Sequence, residues 1–122
     1  MSPHASKAET GLLGENEATL FLQNKGYTIL HRNWRSGKDE LDIVASYGRF
    51  LVFVEVKTRS GTAFGQPWEA VTIRKQNALI RAAEAYIRTF QMDMDARFDI
   101  ISVLVSPEKD VLIDHIEYAF SA

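Results

Sequence analysis

The chain has no cysteine, three prolines and three histidines among 122 residues. Without Cys there are no disulfides and no thiolate zinc sites, a composition compatible with a reducing compartment. His4, His31 and His115 fall on unrelated segments, so none is assigned a metal or catalytic role. No run approaches the ~18 apolar residues of a membrane span. Met1 to Lys7 has no apolar centre and does not read as a signal peptide. The cytoplasm is the default expectation. Motifs for nucleotide binding and serine hydrolysis are also missing: there is no Walker A loop, no G-x-G-x-x-G and no G-x-S-x-G. Excess positive charge is lacking too. The net charge of −2 argues against strong non-specific DNA binding.

What is present describes one globular domain over residues 1–122, with 1–6 flexible. Hydrophobic residues make up 46% and charged residues 25%, as in ordinary soluble proteins. A chain of this length buries about two-thirds of its unfolded surface. The charge is uneven. Residues 91–122 carry seven acidic and two basic side chains, whereas residues 1–90 carry twelve basic and nine acidic. Arg32, Trp34, Arg35 and Lys38 lie close together in sequence, and Arg74, Lys75, Arg81 and Arg88 fall on one predicted helix. These clusters suit a DNA-facing side opposite an acidic one. A solvated mixed-charge surface explains either cluster alone equally well.

Ser6 and Glu9 form a capping box for a helix running to about Lys25, with Gly26 ending it. Gly11, Gly14, Ala18, Phe21 and Leu22 share one stripe of that helix. Two interior glycines cost about 1 kcal/mol each against Ala, which makes sense if the helix approaches a sheet closely. Tyr27 to Trp34 reads as a strand. Thr72 is an N-cap for a second helix to about Phe90, whose apolar face includes Ile73, Leu79, Ile80, Ala83, Tyr86, Ile87 and Phe90. Lys75 and Gln76 lie in its first turn, where a helix favours phosphate. Arg59 to Gln66 reads as a loop, and Trp68 sits in a short turn before the helix. Arg97 to Val105 and Val111 to Tyr118 complete the strands, the last at an edge. The order α-β-β-β-α-β-β gives an α/β fold of the α+β mixed-sheet kind, the second helix crossing over to a parallel strand.

The chemistry concentrates in one hairpin. Glu40 to Tyr47 and Phe50 to Lys57 are strand-like, and Gly48-Arg49 fits a type II′ turn. Pairing Tyr47 with Phe50 sets Asp42 opposite Glu55 and Glu40 opposite Lys57. Val52, Val54 and Val56 then form one face, and Leu51, Phe53, Glu55 and Lys57 the other. Opposed carboxylates repel unless something positive sits between them. With oxygen ligands alone, that cation is Mg²⁺ or Mn²⁺. A lysine beside such a metal can orient a water or neutralise a phosphate. A Glu40–Lys57 surface pair, or a buried Glu55–Lys57 pair, is the structural alternative, and the latter leaves Asp42 unexplained.

Asp42 followed by Glu55-Val56-Lys57 resembles the core of the PD-(D/E)XK, restriction-endonuclease-like superfamily. More closely, the chain resembles the YraN family of nuclease-like bacterial proteins. The similarity runs from about Gly11 to Asp99. It includes Gly14-Glu15, Gly26-Tyr27, Glu40-Leu41-Asp42-Ile43, Phe53-Val54-Glu55-Val56-Lys57-Thr58-Arg59, Phe64-Gly65, Lys75 and Arg97-Phe98-Asp99. One departure is Asp39, where the family usually has Gly before its Glu-Ile/Leu-Asp motif.

The resemblance implies a restriction-endonuclease-like core and a metal-dependent endonuclease acting on DNA, branched junctions included. Asp42, Glu55 and Glu15 would hold Mg²⁺ or Mn²⁺, and Lys57 would serve the attacking water or the transition state. Lys75 or Gln76 would assist, and Arg59, Lys75, Gln76, Arg35 and Lys38 would hold the strand. On the residues alone, Glu15 reads as an exposed helix-surface carboxylate. A homodimer is expected by resemblance only. The competing functions are a non-catalytic nucleic-acid-binding module and a protein-interaction module docking through residues 91–122.

Overall fold

The computed structural model describes residues 7–60, 71–108 and 110–122. The proposed Ser6 cap, the flexible 1–6 segment, Phe64-Gly65 and Trp68 lie outside them. Among the described residues, two helices and five strands follow in the expected order: α1 (Lys7–Asn24), β1 (Thr28–Ser36), β2 (Asp39–Tyr47), β3 (Phe50–Ser60), α2 (Ile73–Phe90), β4 (Asp95–Val105) and β5 (Val111–Phe120). The strands form one mixed sheet in the order β1-β2-β3-β4-β5. β3 and β4 are parallel from Phe50↔Asp95 to Ser60↔Val105, joined through α2, and the remaining neighbours are antiparallel.

Each face of the sheet carries one helix, so β3 is covered on both sides. Val52, Val54 and Val56 pack with Ala18 and Leu22 of α1 and with Ile101 and Val103 of β4. Leu51 and Phe53 pack with Leu79, Ala82, Ala83 and Tyr86 of α2 and with Phe98 and Ile100 of β4. The period-2 reading of β3 therefore holds.

The helix readings need adjustment at their ends. Thr72 caps α2 as expected, its hydroxyl accepting from the Lys75 N–H at 3.2 Å, and Gln91 closes it in a left-handed conformation. Ile73 and Phe90, assigned to the apolar face, are exposed in the terminal turns, although Phe90 still meets the His31 ring of β1 at 4.9 Å. On α1, only Gly14 of the two glycines is a close-approach site. A Cβ there would lie 1.8 Å from the Thr58 hydroxyl of β3 and 2.8 Å from its Cβ, whereas a Cβ at Gly11 meets nothing within 4 Å.

These two positions should respond oppositely to alanine. Gly11→Ala gains about 0.5–1 kcal/mol through reduced chain entropy. Gly14→Ala loses about 1–3 kcal/mol to overpacking, since Thr58 must shift at its Cβ as well as its hydroxyl. Urea unfolding of both variants checks the pair, and a stable Gly14→Ala would show that α1 can lift off β3 without cost.

The turn between β2 and β3 is the one expected. Gly48 has φ of +58° and Arg49 keeps negative φ, as type II′ requires. The register follows from Tyr47↔Phe50 to Ile43↔Val54 and stops there. Among the described residues, no helix is long and apolar enough to cross a membrane.

Candidate functional site

The end of the β2–β3 ladder creates the site. Opposite Asp42, β1 carries Asn33 in a left-handed conformation with φ of +52°. The paired residues on either side are Arg32↔Ile43 and Trp34↔Leu41. Here β2 breaks its alternation: Leu41 packs on the α2 side and Ile43 on the α1 side, although they are two residues apart. Asp42, at the break, reaches across toward β3. Its Oδ2 accepts the Val56 N–H at 2.9 Å, replacing the strand carbonyl that a continued ladder would supply.

Asp42, Glu55 and Lys57 open together onto a cleft of about 540 Å³, walled on the other side by Thr10, Gly11 and Glu15 of α1. Glu55 is 6% exposed, although it is a carboxylate. Its Oε2 is buried without a hydrogen-bond partner among the described residues. Lys75 Nζ lies 3.6 Å from that oxygen, near enough to offset charge but too far to donate a hydrogen bond. Burial, the Glu55 charge and a hydrogen bond between the two carboxyls push the Asp42 pKa up to about 7. The Val56 amide and the Lys75 charge pull the other way.

That shift has a sign for stability. In protein free of divalent cations, native Asp42 keeps a proton that the unfolded chain releases from about 3.8 upward. Native Asp42 therefore subtracts stability as pH rises from about 4 to about 7. Thermal melts of wild type and Asp42→Asn should diverge across this window, the Asn variant becoming relatively more stable at the alkaline end. Parallel profiles from pH 4 to 8 would mean that neither burial nor the Glu55 side chain raises Asp42.

The other sequence-derived candidates divide. Lys75 lies beside the carboxylates, 3.6 Å from Glu55, on the second helix where the resemblance implied an assisting residue. Glu15 lines the same cleft, but its Oε2 accepts from Asn33 Nδ2 at 3.2 Å and lies 3.6 Å from Arg32 Nη2. Among the described residues, no group of three or more His, Asp or Glu side chains is placed to hold a metal ion. Gln76 turns away, its Nε2 donating to the Val71 carbonyl at 3.2 Å. Arg35 pairs with Glu40 at 3.0 Å, so Glu40 takes its partner from β1 and not from Lys57. The β2–β3 ladder has already parted at that level. Arg59 lies between Thr58 and Ser60, which line the cleft, and is half-buried on β3. Lys38 opens onto a different cleft, beside α2. Asp39 does not add free negative charge at the carboxylate pair, because Arg81 of α2 binds it through two nitrogens at 3.2 and 3.1 Å.

The two carboxylates fit a hard divalent cation. An orphaned buried carboxylate oxygen and an acid held near pKa 7 by burial and by its neighbour are both relieved by positive charge between them. Mg²⁺ binds through one or two carboxylates and keeps several waters, so a third acid is not required.

The family pattern described as "Uncharacterised protein family UPF0102" matches residues 14–103, a span that contains every residue of this cleft except Thr10 and Gly11. The chain belongs to the UPF0102 family. A UPF0102 protein of Bacteroides thetaiotaomicron is 52% identical over 116 residues, covering 95% of each chain. One from Phocaeicola vulgatus is 50% identical with the same coverage. One from Chlorobium chlorochromatii is 43% identical over 125 residues, covering 98% of this chain and 97% of the relative.

Proposed function

We propose that this UPF0102 chain is a metal-dependent nuclease that hydrolyses phosphodiester bonds in DNA, with the restriction-endonuclease-like site its sequence resembles. The observation that carries the reading is the pairing of buried Glu55, one oxygen unsatisfied, with Asp42 raised to about 7, beside Lys57 in one open cleft. Such an arrangement is costly for stability and is characteristic of sites that bind charge.

Asp42 and Glu55 would hold Mg²⁺ or Mn²⁺, which supplies Lewis acidity toward the phosphate and the attacking water. Val56 donates its amide to Asp42 and fixes that carboxylate, so it is positioned before substrate arrives. Lys57 holds the attacking water in line or donates to the phosphate oxygen that gains charge. Water's oxygen ends on phosphorus, the P–O bond to the leaving strand breaks, and a proton is delivered to that leaving oxygen. Lys75 Nζ, 3.6 Å from Glu55 Oε2, offsets charge on that carboxylate.

The test uses purified protein on duplex, flap and four-way-junction DNA, each with Mg²⁺, Mn²⁺ or chelator. Strand cleavage that needs the cation is expected, and the preferred substrate reports the DNA shape recognised. Saturable Mn²⁺ binding by calorimetry should accompany it. The absence of both Mn²⁺ binding and cleavage would reject the reading.

One observation favours a second reading. Glu15 is committed to Arg32 and Asn33, which leaves the acid cluster with two members. A non-catalytic nucleic-acid-binding module would bind the same DNAs equally in chelator and in Mn²⁺, and cut none.

A further inference from the structure

A second cleft of about 540 Å³ lies between the β1–β2 turn and the first half of α2, lined by Lys38, Asp39, Arg74, Asn77, Ala78 and Arg81. Its charge is opposite to that of the acid cleft. Three cations face one carboxylate here, whereas Glu15, Asp42 and Glu55 face Lys57 there. We propose that this basic cleft holds a backbone phosphate of the strand being cut, and that the Asp39–Arg81 ion pair limits how tightly it does so. The proposal rests on the nuclease reading and extends it to how the strand is held.

The geometry connects the two clefts through shared elements. On α2, neighbouring residues divide between them, Lys75 toward Glu55 and Arg74 into the basic cleft. On β2, Asp39 and Asp42 are three residues apart, on the order of 10 Å along a strand. That distance is about three base-pair steps along the axis of a duplex, at roughly 3.4 Å each. Arg74, Asn77, Ala78 and Arg81 recur at helical spacing, so α2 presents them along one line. Small Ala78 leaves room between the two arginines, and the Asn77 amide offers a neutral donor.

Asp39 works against this charge. Its carboxylate takes both Arg81 Nε and Nη2, so part of the Arg81 guanidinium is spent within the protein. A phosphate entering the cleft meets Lys38 and Arg74 in full but Arg81 already partly neutralised. Removing the Asp39 charge should therefore strengthen the cleft, and removing Lys38 and Arg74 should weaken it.

The experiment is fluorescence anisotropy with an end-labelled oligonucleotide in chelator, over a series of salt concentrations, using the full chain. The Lys38→Ala/Arg74→Ala variant should bind roughly tenfold more weakly and lose about two from the slope of log affinity against log salt. Arg74→Lys should keep the slope, and Asp39→Asn should bind several-fold more tightly than wild type. Circular dichroism melts of each variant control for folding. If wild type binds and cleaves DNA while the double variant matches it in affinity and slope, the basic cleft is not on the strand path and the nuclease reading stands. If inorganic phosphate binds the cleft while the oligonucleotide is indifferent to all the variants, the assignment to a strand also falls. If wild type binds no oligonucleotide in chelator yet cleaves DNA with Mg²⁺, the basic cleft does not hold the strand and the nuclease reading stands.

Discussion

Asp42→Asn should abolish cation-dependent cleavage while the protein stays folded and, above pH 7, melts at a higher temperature than wild type. The substitution keeps shape and leaves an amide oxygen for the Val56 N–H, so the β2–β3 junction survives. It removes the charge that a divalent ion needs and that Glu55 opposes. Losing an outer-shell partner of a metal ligand typically costs about 10–100-fold in affinity or activity. Losing a ligand from a pair should cost more, on the order of 10³-fold in cleavage rate. Single-turnover cleavage, calorimetric Mn²⁺ titration and thermal melts at pH 8 read the three effects separately. A variant that cuts DNA at the wild-type rate would remove Asp42 from the chemistry altogether. Lys57→Ala offers the complementary dissection, retaining Mn²⁺ binding while cleavage falls.

The second large effect lies on the α1 face, among charges that take no part in the cleft. Asp99 is 0% exposed and accepts from Arg97 Nε at 2.9 Å and Nη2 at 2.7 Å. The Tyr118 N–H adds a bond at 3.2 Å, and His115 Nε2 lies 2.7 Å away. Burial alone would raise the Asp99 pKa, but the bonds from His115 and Arg97 hold it below the ordinary carboxylate value. Asp99 thus contributes stability above about pH 4, and that contribution is lost as pH falls below it. Arg97 is itself enclosed by the rings of Tyr27, Phe50 and Tyr118 at 5.7, 5.3 and 5.0 Å. Its guanidinium also donates to the Tyr27 hydroxyl.

Arg97→Met keeps much of the volume and strands the Asp99 charge. Breaking a buried pair on one side costs about 3–5 kcal/mol. For a chain of this size the melting temperature should fall by roughly 10–20 °C. Cleavage measured well below that temperature should be little changed, because none of these side chains lines the acid cleft. A fall of only one or two degrees would mean that Asp99 finds other compensation.

The contrast between the two acids shows what a linear sequence reveals. Asp42 and Glu55 were legible because a hairpin makes their relation local: a two-residue turn, counted outward, brings both to one place. Lys75 came from the resemblance, which implied an assisting residue on the second helix, and Thr72 located that helix's start. The count failed from Asp42 outward: the β2–β3 register ends at Ile43↔Val54, Asp42 meets Val56 through its side chain instead of pairing with Glu55, and Glu40 pairs with Arg35. No periodicity marks an asparagine that adopts positive φ. The Arg97–Asp99 cluster was out of reach for a different reason. Its partners come from Tyr27, His115 and Tyr118, on three other stretches of chain, and the Asp99 bond depends on a bulge that puts Tyr118 at φ of +52°. Glu15 was placed beside the acids by resemblance. Its carboxylate meets Asn33 and Arg32, whose positions only the folded sheet defines.

The bond from Val56 to Asp42 also makes the protein its own indicator. An amide within a β ladder is ordinarily held by a neighbouring carbonyl, whose basicity hardly changes with conditions. The Val56 amide is held by a titrating group, so its chemical shift and its exchange with deuterated water follow the ionisation of Asp42. Protonation weakens the acceptor, and a cation on the carboxylate draws electron density from it. A single backbone resonance, far from any label, can therefore report when the cleft is charged, neutral or filled.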